Sequence, residues 1–364
     1  MPEPAQARLT IDLDALAHNH AVLKREAGGA EVAPVVKSDG YGLGAGPLAR
    51  RLWADGARSF FVARLAEGEA LRAELGPDRP AAIHVLDGLT TGAAPRFHAA
   101  GLTPVISSLP QAAAASVWAR QAGRRWPITL HVDTGMNRQG LSTEETRALA
   151  QAPDGLRDLD VTLVMSHLGS ASEPSDVRSA EQLERFRQIL PLFPDSRASL
   201  AASAGLFLGE DYRFDVVRPG VSLYGGGPLE RPDARLKAVA TLTAPILDIR
   251  NLRPGDRLGY GSGVTADRPT RIAVVGAGYA DGVIRAARRS GYAWLAGERR
   301  RLLIVTMDLL AIEIGDAEGQ VGQPVELLGP NALLDDQAAA AGTVAHEVLV
   351  RLSRRAERVY LGGA

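Results

Sequence analysis

Short, nearly continuous apolar runs alternate with amphipathic stretches along the first 225 residues. The runs are Val32–Lys37 (VAPVVK), Ser59–Arg64 (SFFVAR), Ala82–Leu86 (AIHVL) and Thr103–Ser107 (TPVIS). They continue with Ile128–Asp133 (ITLHVD), Val161–His167 (VTLVMSH), Arg197–Ser203 (RASLAAS) and Val216–Tyr224 (VVRPGVSLY). Between them, Asp12–Ala27, Glu67–Leu75, Pro110–Ala122 and Asp176–Leu190 carry apolar residues at helical spacing. Strands that alternate with helices imply βαβ units, and strands apolar on both faces imply a parallel sheet covered on both sides. Eight such runs fit a (β/α)8 TIM-type barrel, which typically takes roughly 250 residues; a doubly wound open sheet is the alternative. After Gly225–Gly227 the texture changes. From Lys237 onward the chain reads as β runs separated by turn signals, such as VATLTAPILDIR, TRIAVVGAG and RLLIVTMD. We therefore expect a barrel domain over 1–230 and a mostly-β domain over 231–364, with the first few residues pairing with the β domain.

Composition narrows the classes. The chain has 364 residues, 46% of them hydrophobic, and a formal net charge of −1. A core of ample size follows, and neither a nucleic-acid partner nor a polybasic membrane surface is expected. The absence of cysteine removes disulfides, thiolate metal sites and thiol nucleophiles. MPEPAQARLTIDLD has no basic-then-apolar signal pattern, and no window approaches a membrane span, so a cytoplasmic location is expected. Only Lys24, Lys37 and Lys237 are lysines, among 41 Lys+Arg. Lys24 and Lys237 sit where surface residues sit. Lys37 closes an apolar run.

Chemistry in parallel α/β folds collects at the carboxyl ends of the strands. Lys37 and Tyr41 follow the first strand, Asp133 and Arg138 the fifth, His167 the sixth, Ser203 the seventh, and Arg218, Gly220 and Val221 lie on or after the eighth. A lysine at an apolar strand end is desolvated, which lowers its pKa and suits a Schiff-base nucleophile; the plainer reading is a side chain that snorkels to water. GYGLGA matches a dinucleotide fingerprint in form, but the second strand ends in Arg64 in place of the acidic ribose binder. The seventh and eighth strand ends are where barrels often build phosphate sites. A phosphate site opposite a Schiff-base lysine points to pyridoxal 5′-phosphate, PLP. Metal readings are poor: His18 and His20 do not share a helix face, and His131 with Asp133 lacks a third ligand. No GxSxG motif is present.

VVKSDGYGLG, DTGMNRQG, VRPGVSLYG, GYGSG, GAGYADG and VTMD, in this order, resemble the sequence blocks of the bacterial alanine racemases over nearly the whole chain. The resemblance implies a PLP barrel, a C-terminal β domain and a homodimer whose active sites are shared between chains. It implies racemisation of L- and D-alanine by two-base proton transfer at Cα, supplying D-alanine for peptidoglycan. On matching positions, Lys37 carries PLP and is one base; Tyr260, given by the partner's β domain, is the other. Tyr41, Ser203, Gly220 and Val221 hold the phosphate, and Arg218 faces the pyridine nitrogen with His167 behind it. Arg138 and the Met307 backbone N–H bind the substrate carboxylate, and Tyr279 lines the entrance.

Three positions depart from the family pattern. His131 replaces a lysine that the family often carbamylates, Thr306 replaces a cysteine, and Arg354 aligns with a tyrosine that contacts phosphate. Two other functions stay in view. A broad-specificity PLP racemase, acting for example on serine, differs only in pocket width. A non-enzymatic PLP carrier of the single-barrel type would lack the region 237–364. A PLP decarboxylase is disfavoured by the missing cysteine.

Overall fold

The computed structural model describes residues 6–261 and 263–363. Residues 1–5, at the start of the stretch read for a signal peptide, and Ser262 of GYGSG lie outside the described residues. Strand β1 (Arg8–Asp12) leads into the helix Leu13–Ala27. Two compact units follow from the contacts, one made of His20–Gly40 and Gly44–Leu223, the other of Met1–Asn19, Tyr41–Leu43 and Tyr224–Ala364.

The first unit is a ring of eight parallel strands. They are β2 (Glu31–Val32), β3 (Ser59–Val62), β4 (Ala82–Val85), β5 (Thr103–Ile106), β6 (Trp126–His131), β7 (Leu159–Met165), β8 (Arg197–Ser199) and β9 (Val216–Val217). β3 to β8 form one sheet in sequence order, and β2 pairs with β9. Single bridges Val35↔Phe61 and Ala202↔Arg218 close the ring on either side of that pair. Inward and outward residues alike are apolar and buried, among them Phe60, Phe61, Ile83, Val85, Ile128 and Leu130, as strands covered on both faces require. The covering helices start where their sequences say they should. Ser142 accepts from Glu145 N while Glu145 accepts from Ser142 N, a capping box that opens Thr143–Gln151.

Every predicted run is longer than its strand at the carboxyl end. In the first and eighth runs the reason is proline. Pro34 and Pro219 have no N–H to give to a ladder, so β2 and β9 each stop at two residues. Val221–Tyr224 then turns into a short 3-10 helix. The functional candidates thus sit on the turns beyond the strands.

The second unit is a mostly antiparallel β structure, with one parallel pair. Its strands are β1 and β10 (Ala240–Leu252), β11 (Arg257–Leu258), β12 (Val264–Thr265), β13 (Thr270–Val275), β14 (Tyr292–Leu295), β15 (Glu298–Val305), β16 (Leu310–Glu313), β17 (Pro324–Leu328) and β18 (Glu357–Leu361). The main sheet runs β13-β16-β15-β14-β17-β10-β1-β18, and long β10 also pairs with β13, which curls the sheet on itself. Ile272, Leu303 and Ala311 pack inside it against Leu252, Leu258, Val264 and Ile304. β1 adds beside β10 and, as the parallel pair, beside β18. Among the described residues, no helix is long and apolar enough to cross a membrane.

Candidate active site

Lys37 opens a left-handed turn, not the end of a strand. Ser38, Asp39 and Gly40 have φ of 55°, 54° and 64°, a region that disfavours residues with a Cβ. The turn is held from outside: Glu67 Oε1 accepts from Ser38 N at 2.9 Å, and Asp39 Oδ1 accepts from Ala45 N at 2.9 Å. Glu67 Oε2 also takes Ala63 N at 2.8 Å, so one carboxylate fixes both the Lys37 turn and the end of β3. The Lys37 amine is held below the usual lysine range, first by burial and then by the charge of Arg138, against the opposing pull of Glu67 and Asp87.

Arg218 is buried, 3% exposed. Its guanidinium donates to Ser199 Oγ and, at 2.5 Å, to the Ser166 carbonyl, and it lies 5.8 Å from the centre of the Phe61 ring. Ser199 in turn donates to the Val216 carbonyl. Burial pulls Arg218 down to about 10, which leaves it a cation at neutral pH. No carboxylate pairs with Arg218, Lys37 or Arg138 among the described residues. A buried cation without an anion is costly unless a ligand supplies one.

The two histidines beside these cations are neutral. His167 is pushed down to about 3 by burial, then by Arg218, Arg138, His131 and Lys37. His131 is pushed down to about 4 by burial, then by Arg218; its Nδ1 lies 3.3 Å from Ser107 Oγ. Close by in sequence to Arg218, Gly220 N and Ser222 N both donate to Ser203 Oγ, at 2.9 and 3.3 Å. The Ser222 hydroxyl is buried with no partner among the described residues. Hydroxyls and N–H groups gathered around one point fit a phosphate ester. Together with a depressed lysine amine, the donor set fits PLP.

The Arg138 loop is built on Asp133, whose Oδ1 accepts from Gly135 N at 2.9 Å and Met136 N at 2.8 Å, and whose Oδ2 accepts from Asn137 N at 2.9 Å. Arg138 itself is exposed.

In the second unit, Tyr260 sits at the tip of the β11–β12 hairpin and is 88% exposed. Gly259 and Gly261 beside it have φ of 87° and 52°, which the tip requires. Tyr260, Tyr279, Arg285, Arg288, Met307 and Asp308 line an open cavity of about 730 Å³. Ala280 N donates to the Met307 carbonyl at 3.0 Å, and among the described residues no acceptor meets the Met307 N–H. Gly278 lets these strands approach: a Cβ there would stand 2.3 Å from the Thr306 carbonyl oxygen. Arg355 ties the wall together by binding both oxygens of buried Asp281 and reaching Asp308. Tyr41, 5% exposed, packs its ring 4.6 Å from Tyr224, and burial pushes its phenol well above the usual range, so it stays a neutral donor. Arg354 is exposed in the turn before β18.

Lys37, Arg138, His167, Ser203, Arg218, Gly220 and Val221 thus lie in one unit, and Tyr41, Tyr260, Tyr279, Met307 and Arg354 in the other. Sequence reasoning missed Glu67, Ser199, Ser222 and Gln182. Glu67 is third in its helix, where a capping box places a Glu, but Arg64 stands where that signature needs Ser, Thr, Asp or Asn; the others are small or polar residues that look like any solvated position.

The family model for the alanine racemase N-terminal domain matches residues 11–228, and that for the alanine racemase C-terminal domain matches residues 239–360. An alanine racemase of Methylobacterium sp. (strain 4-46) is 42% identical, over 98% of this chain and 98% of its own length. Agrobacterium fabrum (strain C58) has a catabolic alanine racemase that is 40% identical, over 98% of this chain and 92% of its own. Its biosynthetic alanine racemase is 39% identical, over 99% and 95%. The crystal structure of alanine racemase from Bartonella henselae with covalently bound pyridoxal phosphate superposes with a TM-score of 0.92 at 32% identity, covering 98% of this chain and all of that one.

Proposed function

This chain belongs to the alanine racemase family, and from that premise we propose the roles its own residues take. The activity is interconversion of L- and D-alanine, and the cofactor is PLP. PLP, when bound, supplies conjugation that makes the alanine Cα–H acidic enough for a side-chain base.

Lys37 Nζ holds the cofactor and moves the Cα proton on one face. Tyr260 Oη, brought by a second copy of the chain, moves it on the other. One group removes the proton and the other returns it, so the reaction is balanced with no net proton change. Arg138 and the Met307 N–H bind the substrate carboxylate. Ser203, Gly220, Val221 and Tyr41 bind the phosphate, with Arg354 at its outer edge. Arg218 faces the pyridine nitrogen with His167 behind it; a guanidinium gives up no proton there, which leaves the ring nitrogen unprotonated. Tyr279 lines the entrance.

The observation that carries this reading is the set of three unpaired cations, Lys37, Arg138 and Arg218, around two neutral histidines. A substrate carboxylate at Arg138 and a neutral acceptor, the pyridine nitrogen, at Arg218 are partners that such a site lacks. The exposure of Tyr260 supports a homodimer with shared sites. Residues 1–230, the first few of which pair with the β domain, then act as the cofactor barrel, and 231–364 as the domain that serves the partner. Cytoplasmic supply of D-alanine to the cell wall fits the reading, although similarity to catabolic and biosynthetic relatives is nearly equal, at 40% and 39%.

Borohydride reduction of the holoenzyme is expected to fix the cofactor to the peptide that carries Lys37. L-Alanine in D2O should gain deuterium at Cα as its optical rotation decays. Lys37→Ala and Tyr260→Phe should each lose about 10²–10⁴-fold in kcat, the span of a general acid–base group. Label on any other peptide would sink the assignment.

A further inference from the structure

The helix Arg178–Ile189 presents Arg178, Gln182 and Arg185 along one face, at spacings of four and three residues. All three reach the two loops that carry Arg138 and His167. Gln182 is completely buried. Its Nε2 donates to the His167 carbonyl at 2.9 Å and to Thr134 Oγ1 at 3.3 Å, and its Oε1 accepts from Gly169 N at 2.8 Å. Arg185 donates to the Thr134 carbonyl at 2.9 Å. Arg178 donates twice to the Gly135 carbonyl, at 2.9 and 3.3 Å. Thr134 and Ser166 join the loops directly through their hydroxyls, 2.8 Å apart.

The arginine ends lie close over two glycines of these loops. A Cβ on Gly135 would stand 2.6 Å from an Arg185 nitrogen, and one on Gly169 would stand 2.7 Å from Arg178 Cζ. Arg138, by contrast, is exposed, and nothing among the described residues hydrogen-bonds its guanidinium. Its aim is therefore set by the backbone of its loop, and that backbone is gripped by this helix.

We propose that Gln182 is a positioning residue for the substrate carboxylate. With Arg178 and Arg185 it locks the 133–138 loop to the 166–170 loop, so that Arg138 meets the carboxylate at a fixed place relative to the reacting Cα. The inference rests on Arg138 being the carboxylate site. A carboxylate clamp held off its place loses binding in the ground state and the transition state alike, which raises KM and leaves kcat near its value.

The test uses holoenzyme with Gln182→Glu, whose side chain has the same shape and, as a carboxylate, no proton to give to His167 or Thr134, and with Arg185→Ala. Propionate, a carboxylate without the amine, is titrated calorimetrically beside steady-state kinetics. We expect KM for both alanine enantiomers and the propionate Kd to rise together, roughly 10-fold for Gln182→Glu and less for Arg185→Ala, with kcat within about 3-fold. Amide exchange should quicken in 133–138 and 166–170 and not elsewhere. Unchanged KM and propionate Kd in a folded variant, with only a lower melting temperature, would overturn the proposal. If Gln182→Glu does not fold, Arg185→Ala decides it by the same readouts. Arg138→Ala separates the two layers. Should propionate still bind that variant normally, the carboxylate site and this inference fall together. Should binding be lost there but intact in the helix variants, only this inference falls.

Discussion

Four histidines inside the barrel unit are kept neutral by burial. His20, His84 and His131 are pushed down to about 4 and His167 to about 3. Their unfolded values lie near 6.5, so between about pH 6.5 and 4 the unfolded chain binds protons that the folded one refuses. Stability is then fully present above that window and is lost as pH falls through it. The urea midpoint should be level near pH 7 and drop steeply toward pH 4. His84→Gln, which keeps a partner for the Thr129 hydroxyl now 2.8 Å from His84 Nδ1, should make the drop shallower. A midpoint that stays flat down to pH 5 would contradict this picture. The same values mean that neither His131 nor His167 titrates near neutrality, so the limbs of a pH–rate profile there report other groups.

At the scale of elements, the left-handed turn after Lys37 is the most demanding piece of backbone. A Cβ on Gly40 would stand 2.4 Å from Leu48 Cδ1 and 3.2 Å from Ala45 N, at φ +64°. Gly40→Ala should cost about 1–3 kcal/mol and weaken retention of the cofactor. Gly76→Ala is the control, with φ +67° but nothing within 4 Å of its Cβ; it should cost less and leave retention alone. Thermal melts and cofactor absorbance after dialysis check both. This turn also marks where the sequence stops being legible. Apolar runs revealed the eight strands and their order, because burial on both faces writes itself into composition. They did not reveal the strand ends, since Val35 and Val36 are as apolar as Val32 while the regular pairing of β2 ends at Val32. Ser38 and Asp39 gave no hint of a left-handed conformation, which glycine would have announced. The residues proposed to react were read from motifs; Gln182 and, through Ser38, Glu67 act on backbone partners that only the folded chain brings near.

For the whole molecule, the decisive question is whether a site takes residues from two chains. Mixing Lys37→Ala with Tyr260→Phe protein under exchanging conditions should restore activity to about one quarter, because half the dimers are mixed and each has one intact site. No recovery would place both groups in the same chain's site. The ring of strands carries its own consequence. Where first meets last, three N–H groups, those of Glu31, Ala33 and Val35, face the carbonyls of Asp215, Val217 and Pro219. Pro219 has no N–H to return across that join. Lys37 and Gly220 stand just past its two lips, so a small molecule gripping both works as a buckle on a belt. Stripping the vitamin from the enzyme should let the belt slip there first, with the Ala33 and Val35 amides exchanging before those of Val105 and Leu130 deep in the opposite wall.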